Sequence, residues 1–258
     1  MQIELQNVTV ELGGDPVLRE IDLVLPAGQA TVIRGGSGCG KTVLLKTAAG
    51  LIPPTRGRVL YDGQDLAALT DRENRRLQTR TGFGFQDAAL WANMNLAANL
   101  DLPLQAKYPD LDAVARRRRI DDILESFGLS EDLMIRPVAL SEGQQKVFSF
   151  LRALIPGPEA LFLDKPTTGL DGRWINLVLH KLHELRDRGV TLVTVSNNPE
   201  VTADLADQLV IVRRGRVLAA GPREEILASS RPEIQEILHD RTGRRFEPDC
   251  GEGEVAIP

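Results

Sequence analysis

This sequence has few cysteines, few aromatic residues and no excess of positive charge. Its 258 residues include two cysteines, Cys39 and Cys250, which are too few for a disulfide framework and are typical of a reducing compartment. Aromatic residues make up 4% of the chain, so the core must be built mainly from aliphatic side chains. The net charge of −5 argues against a nucleic-acid-binding protein, because such binding relies on a basic surface.

Long apolar runs are also missing from the sequence. No run approaches the length of about 20 residues that a membrane-spanning helix needs. The first residues, 1–12, alternate between apolar and polar as a strand does, and they contain no apolar segment of the signal-peptide type. The sequence therefore predicts a chain without a membrane span, which would serve a membrane only through a partner.

Strand-like and helical patterns alternate along much of the chain. Short apolar runs predict strands at 29–34, 160–163 and 191–195. Helical periodicity is found between such runs, at 41–49 and 174–188. This alternation predicts an α/β fold with a parallel sheet and helices on both of its faces.

One long segment interrupts the alternation. Residues 87–158 are mostly helical, which predicts a helical lobe inserted into the α/β domain. The predicted domain organisation is therefore one domain over residues 1–226 that contains this lobe, followed by a C-terminal helix and a charged tail over residues 227–258.

A glycine-rich segment has the pattern G-x-x-x-x-G-K-[ST]. Between a predicted strand and a predicted helix, as this motif requires, lie Gly35, Gly36, Ser37, Gly38, Cys39, Gly40, Lys41 and Thr42. The glycines let backbone N–H groups turn towards a phosphate, and the helix N-terminus adds partial positive charge. Lys41 would neutralise the β- and γ-phosphates, and the Thr42 hydroxyl would bind Mg²⁺. The segment predicts a site for a nucleotide such as ATP, in which Cys39 is a small filler.

Further motifs resemble those of one family of nucleotide-binding proteins. Residues 140–144 (LSEGQ) resemble the LSGGQ signature of ABC ATPases, and residues 160–166 resemble the Walker B strand of that family. Residues 168–171 resemble its D-loop, and Gln86 stands where the Q-loop glutamine belongs. Because the motifs follow one another in the family's order, the chain is identified as resembling the ATP-binding subunit of an ABC transporter.

The resemblance implies both a fold and an assembly. The fold is an α/β P-loop NTPase (RecA-like) core with an antiparallel β edge and an α-helical lobe that carries the signature. The assembly is a head-to-tail dimer with a second ABC ATPase subunit, a homodimer or a heterodimer, in which each ATP lies between the P-loop of one chain and Ser141, Gly143 and Gln144 of the other. An integral membrane permease would carry the cargo, with this chain on the cytoplasmic face of the inner membrane.

Four residues are candidates for catalytic roles. Asp164 ends an apolar strand, where its carboxylate can hold Mg²⁺ together with Thr42. The resemblance implies that Gln86 binds Mg²⁺ and senses the γ-phosphate. Lys165 and Asn197 depart from the family's pattern, which has a glutamate that polarises the attacking water and a switch histidine at these positions. A protonated lysine only donates hydrogen bonds, and loss of a general base costs about 10²–10⁴ in rate, so hydrolysis is predicted to be weak.

Two further departures concern the binding surfaces. Glu142 stands where the family has glycine, and three interpretations stay open: an ion pair with Lys165 of a facing subunit, a carboxylate supplied to the partner's site, or a side chain in solvent. Leu12 lies closest to the position of the aromatic residue that stacks on adenine in the family, which predicts weakened base stacking.

The identity of the transporter is indicated only by short segments. Residues 88–104 and 231–240 resemble the corresponding segments of Mla/MCE-type lipid-transport ATPases, which implies a phospholipid cargo and an MCE-domain partner. Amino-acid importers share part of the first segment. Three functional hypotheses remain: the degenerate half of a heterodimer, a homodimeric subunit with slow hydrolysis, and a non-catalytic ATP-gated assembly protein.

Overall fold

Two β-sheets form the framework of the structure, a computed structural model that describes residues 1–130 and 132–240. Within these residues the strands are β1 (Ile3–Leu12), β2 (Asp15–Leu25), β3 (Ala30–Arg34), β4 (Arg56–Tyr61), β5 (Gln64–Asp65), β6 (Thr81–Gly84), β7 (Ala160–Asp164), β8 (Thr191–Val195), β9 (Gln208–Arg213) and β10 (Arg216–Pro222). The α-helices of the same part of the chain are α1 (Lys41–Ala48), α2 (Asp71–Gln78), α3 (Leu96–Lys107), α4 (Ala113–Ser126), α5 (Glu142–Leu154), α6 (Gly172–Asp187), α7 (Pro199–Leu205), α8 (Arg223–Leu227) and α9 (Pro232–His239).

The smaller sheet is antiparallel and has the strand order β2-β1-β4-β5. Along β1 the buried residues alternate with exposed ones, as expected for a sheet that faces the core on one side. Glycine is required at position 57, where β4 lies beside β1, because a Cβ atom there would lie 2.2 Å from the carbonyl oxygen of Asn7. The antiparallel β edge predicted from the family resemblance is confirmed.

The larger sheet has the order β10-β9-β3-β8-β7-β6 and is parallel except for its edge strand β10. Every residue of β3, β7 and β8 is buried, which explains why apolar and polar residues do not alternate along these strands, since helices cover both faces of a parallel sheet. In this register Asp164 of β7 pairs with Val195 of β8, and Ile33 of β3 also pairs with Val195. The loops that follow these three strands therefore emerge side by side at one edge of the sheet.

The predicted helical lobe is confirmed, and it contains α3, α4 and α5. Its core is mainly aliphatic with three buried phenylalanines, Phe127, Phe148 and Phe150, as the low aromatic content predicts. Helix α5 begins directly after Ser141, whose hydroxyl accepts a hydrogen bond from the Gln144 N–H in a capping box. The signature segment therefore forms the N-terminus of a well-capped helix. The domain boundaries inferred from the sequence stay a prediction.

The C-terminal part of the described chain packs on the larger sheet, against β3 and β9. Ile234, Ile237 and Leu238 of α9 are buried in a small core with residues of β9. The predicted charged tail from residue 241 onwards lies outside the described residues. Among the helices that are described, none is long and apolar enough to cross a membrane.

Candidate nucleotide site

The glycine-rich loop links β3 to α1 at the edge of the sheet where the three loops meet. Gly40 is the N-cap residue of α1 in a left-handed conformation, and no side chain caps the first N–H groups of this helix. Gly35 has no room for a side chain, because a Cβ atom would lie 2.3 Å from the carbonyl oxygen of Val212. The loop therefore presents the uncapped N-terminus of α1, which is a favourable environment for an anion.

Lys41 lies inside this loop. Its Nζ donates hydrogen bonds to the carbonyl oxygens of Gly35 at 2.8 Å and Gly36 at 2.6 Å. Burial is the main cause that lowers the pKa of Lys41. The neighbouring Cys39 raises that pKa, and the positive charge of Lys165 lowers it. The positive charges of Lys41 and Lys165 therefore lie close enough together in the site to influence each other.

Cys39 packs against the inner side of the same loop and is partly buried. Burial is the main cause that raises the pKa of its thiol, although the charge of Lys41 opposes this effect. We therefore expect iodoacetamide to alkylate Cys39 slowly at neutral pH, and the rate to rise as the pH increases, because the thiolate is the reactive form. Mass spectrometry of the peptide that contains Cys39 measures this rate, and alkylation as fast as that of free cysteine at neutral pH would contradict the prediction.

Thr42 and Asp164 are brought together from the start of α1 and the end of β7. The Thr42 hydroxyl donates a hydrogen bond of 2.9 Å to Asp164 Oδ2. The second carboxylate oxygen of Asp164, Oδ1, is buried and has no hydrogen-bond partner among the described residues. A hydroxyl and a carboxylate with a free oxygen are ligands that suit Mg²⁺. In the described part of the chain no group of three His, Cys, Asp or Glu residues forms a metal site, so phosphate oxygens and water would have to complete this one.

Lys165 is held at the mouth of the site by an unusual backbone conformation. Its φ angle is +50°, in the left-handed region that non-glycine residues seldom adopt, and its N–H donates to the Val195 carbonyl oxygen at 3.0 Å. Such strained residues are concentrated at functional sites. Its side chain lines the cleft beside Lys41, and no carboxylate of the described chain forms a salt bridge with it.

Asn197 occupies the loop after β8. Its side-chain Oδ1 is buried without a hydrogen-bond partner in the described structure, and the residue lines the cleft. Ser196, the preceding residue, accepts a hydrogen bond from the Asn198 N–H, and Asn198 in turn caps α7. The residues on the C-terminal side of Asn197 are therefore held by hydrogen bonds, and Asn197 itself lines the cleft.

An open cleft of about 830 Å³ connects these elements. It is lined by Val17, Ser37, Gly38, Gly40, Lys41, Thr42, Val43, Lys165, Thr168, Ser196, Asn197, Asn198, Pro199 and Glu200. Leu12 is 46% exposed and is not among the residues that line this cleft, so its place beside the adenine stays a prediction. Val17 of β2 lines the cleft and lies next to Gly40 of the loop. Contact between Val17 and Gly40 depends on tertiary packing, and the sequence alone gave no signal for it.

Gln86 is not among the residues that line this cleft. It lies in a smaller cavity that also contains Lys146, Ser149 and Lys165. Lys165 is the residue shared by the two cavities. Gln86 and Lys165 therefore line the same small cavity, whereas the predicted contact of Gln86 with a metal held by Thr42 and Asp164 stays a prediction.

The signature residues Ser141, Gly143 and Gln144 also do not line the cleft of their own chain, as far as the described residues define it. This placement agrees with the expectation that they serve a second subunit. Glu142 is 82% exposed at its side chain and pairs with Lys146 in its own chain at 3.0 Å. Lys146 also donates to the Thr168 carbonyl oxygen at 2.9 Å, so it connects the signature helix to the predicted D-loop. If Glu142 contacts a facing subunit, it must either break its ion pair with Lys146 or make the new contact while it keeps that pair.

Comparison with known proteins identifies this arrangement of motifs. A model of the family described as "ABC transporter" matches residues 18–168, which is more than half of the chain and includes the loop, the signature and Asp164. The chain belongs to the ABC transporter family. Its fold is accordingly that of an ABC cassette, with the P-loop core, the antiparallel β subdomain and the helical lobe described above.

Several curated ABC proteins are similar to this cassette. The methionine import ATP-binding protein MetN 1 of Rhodococcus jostii is 34% identical over 90% of this chain and 70% of its own length. The probable ribonucleotide transport ATP-binding protein mkl of Mycobacterium leprae is 30% identical over 95% and 70%, respectively. The Fe(3+) ions import ATP-binding protein FbpC of Pseudomonas fluorescens is 36% identical over 87% and 62%. This chain thus spans about two thirds of the length of these relatives.

Solved structures agree with this assignment. The cassette MJ0796 in a dimeric post-hydrolysis state bound to ADP and Pi has a TM-score of 0.79 and is 28% identical, with 86% of this chain and 98% of MJ0796 covered. A second dimeric structure of MJ0796, described as a bacterial ABC transporter cassette, has the same TM-score with 29% identity.

Proposed function

We propose that this cassette binds Mg²⁺-ATP in the cleft at the edge of its larger sheet and hydrolyses it slowly. The observation that carries the proposal is the position of Lys165. This lysine directly follows Asp164, faces the cleft and lies close enough to Lys41 to lower its pKa. A cation at this position attracts the triphosphate but cannot accept a proton from water.

The phosphates would be bound by three groups of the chain. The uncapped N-terminus of α1 offers backbone N–H donors, and Lys41 offers an ammonium group that now bonds to the Gly35 and Gly36 carbonyls. Phosphate oxygens would compete for this ammonium group. The side-chain NH₂ of Asn197, a residue that also lines the cleft, would donate a hydrogen bond to the γ-phosphate.

Thr42 and Asp164 are the residues that would hold Mg²⁺. Their contact of 2.9 Å and the unpaired Oδ1 of Asp164 provide the oxygen ligands that this ion prefers. When bound, Mg²⁺ would neutralise negative charge on the phosphates. Lys165 would add a second positive charge nearby, so the site is better suited to retain the triphosphate than to activate a water molecule.

The biological role would be to drive transport through a separate integral membrane permease, with this chain on the cytoplasmic side of the membrane. MetN 1 and FbpC are named as import proteins, which supports an importer. The relatives named above are described with methionine, ribonucleotide and Fe(3+), so similarity of the cassette does not specify the cargo.

Phospholipid as the cargo, with an MCE-domain partner, stays a prediction. It rests partly on residues 88–104, in which the asparagines have structural roles. Asn99 is fully buried and exchanges hydrogen bonds with the backbone of Trp91, and Asn95 caps α3. Because these residues stabilise the loop before α3, their presence in this segment is explained without reference to a lipid.

A dimer of cassettes is the second part of the proposal, supported by the dimeric structures of MJ0796. The first turn of α5 would present Ser141 and Gly143 to the ATP of the partner. One observation favours a heterodimer as an alternative. The signature helix α5 is well formed and capped, whereas in the nucleotide site of the same chain Lys165 replaces the catalytic carboxylate. This chain could therefore complete the site of a competent partner without turning over its own ATP.

Gly143→Asp tests the dimer. The nearest atoms to a Cβ at Gly143 lie 3.9 Å away, and an acidic residue in the first turn suits a helix N-terminus, so the variant is expected to fold. Its carboxylate would repel a γ-phosphate bound by the partner. We expect light scattering to show that Mg²⁺-ATP, but not Mg²⁺-ADP, dimerises the wild type, and that Gly143→Asp binds ATP but stays monomeric.

Gly143→Asn is the matched control, because it has nearly the same size and no charge, and it should dimerise more readily than Gly143→Asp. A wild type that binds ATP and stays monomeric would contradict the homodimer and favour the heterodimer. A wild type that binds no nucleotide would contradict the proposed function as a whole.

A further inference from the structure

A buried arginine lies at the end of β3, where the glycine-rich loop of the cleft begins. Arg34 is the last residue of β3, follows two apolar residues, Val32 and Ile33, and is 2% exposed. It does not line the cleft, and burial of a charged side chain is costly unless its donors are satisfied. The nucleotide site described above makes no use of this residue, so its burial needs a separate explanation.

The hydrogen bonds of Arg34 connect two distant parts of the chain. Its Nη2 donates to the carbonyl oxygens of Asn197 at 3.3 Å, Ile237 at 3.5 Å and Asp240 at 3.3 Å. Ile237 and Asp240 lie at the C-terminal end of α9, where backbone carbonyls lack partners within the helix and favour a cation. Burial is the main cause that lowers the pKa of Arg34, and the carboxylate of Asp240 raises it.

The contact with Asn197 holds the backbone carbonyl of the switch position, and it is made by a residue that does not itself line the cleft. The preceding residue is also tied to β3, since the Ser196 N–H donates to the Ile33 carbonyl oxygen at 3.2 Å. The amide oxygen of Asn197 has no partner in the described structure. The orientation of that amide therefore depends on how the backbone is held, and Arg34 holds its carbonyl group.

We propose that Arg34 is a positioning residue, which orients Asn197 towards the γ-phosphate and makes the end of α9 part of the nucleotide site. This inference rests on the proposed function, because it assumes that Asn197 contacts the γ-phosphate. It predicts that changes at Arg34 affect ATP and ADP differently, since ADP has no γ-phosphate. A purely structural role in the core would weaken the binding of both nucleotides alike.

The test measures the dissociation constants of Mg²⁺-ATP and Mg²⁺-ADP by isothermal titration calorimetry on the full chain. Wild type is compared with Arg34→Met, which is apolar and of similar length, Arg34→Lys and Asn197→Ala. Arg213→Met is the matched control. Arg213 also links the sheet to α9, through Glu236 at 4.0 Å, but no hydrogen bond in the described structure joins it to Asn197.

We expect Arg34→Met and Asn197→Ala to weaken ATP binding by about tenfold, the scale of one hydrogen bond to a charged group, with ADP binding nearly unchanged. Arg34→Lys should keep most of the preference for ATP, because one ammonium group has three N–H donors for the three carbonyls. Arg213→Met should behave as the wild type. If Arg34→Met does not fold by circular dichroism, Arg34→Gln keeps an amide in the buried position, and the same selective loss of ATP binding is expected.

Three results would overturn the inference, and they are distinguishable. If Asn197→Ala loses the preference for ATP and the Arg34 variants keep it, Arg34 does not position Asn197, while the proposed site stands. If Asn197→Ala leaves ATP binding unchanged, the contact between Asn197 and the γ-phosphate is wrong, and the role of Arg34 fails with it. An equal loss of ATP and ADP binding in Arg34→Met would show a structural role only.

Discussion

Lys165→Glu is expected to raise the steady-state rate of ATP hydrolysis by about 10²–10⁴-fold, the range of a general base. The change places a carboxylate directly after Asp164, where it could accept a proton from the attacking water. The side chain of Lys165 forms no salt bridge in the described structure, so its removal breaks no ion pair. Release of inorganic phosphate measures the rate.

Lys165→Gln is the matched control for this experiment. It removes the positive charge and has the size of glutamate, but it supplies no base, so its rate should stay near that of the wild type. An equal increase in both variants would mean that the charge of Lys165, and not the missing carboxylate, suppresses hydrolysis. Brisk hydrolysis by the wild type would instead direct attention to Glu200, which lines the cleft, and to Glu142 of a partner subunit.

Lys41→Ala should weaken the binding of Mg²⁺-ATP by about 100-fold or more, since it removes a charged donor worth roughly 3 kcal/mol at the phosphate position. The ammonium group is buried in the loop and held by the Gly35 and Gly36 carbonyls, so water would replace it poorly. Calorimetric titration with Mg²⁺-ATP measures the loss.

Lys46→Ala provides the comparison for Lys41→Ala. Lys46 lies on the same helix, α1, but does not line the cleft. ATP binding should therefore be nearly unchanged in this variant. Equal losses in the two variants would indicate that positive charge on α1, and not the position of Lys41, determines affinity.

The sequence located the residues of the candidate site well where they are consecutive. The glycine-rich loop follows the buried strand β3, Asp164 ends the buried strand β7, and parallel strands bring their ends together at one edge. Helix α2 was not predicted, because Leu77 is its only buried residue and the apolar pattern is weak. The capping box of Thr70 and Glu73 was the signal that could have revealed it.

Other features depend on contacts between segments that are far apart in the sequence. The sequence could not place Val17 in the cleft, because this depends on how the first hairpin packs on the loop. Arg34 ends an apolar run, and nothing near it indicates that the end of α9 covers it, about 200 residues further along the chain. The link from Lys146 to Thr168 is likewise a tertiary contact.

The central claim is that the site holds ATP without rapid hydrolysis. The most direct test is a single-turnover experiment, in which excess wild-type protein is mixed with radiolabelled Mg²⁺-ATP and the bound nucleotide is analysed over time. Our account predicts that ATP is bound and remains intact over many minutes, while Lys165→Glu converts it to ADP and phosphate within seconds. Rapid conversion by the wild type, abolished by Lys41→Ala, would contradict the account.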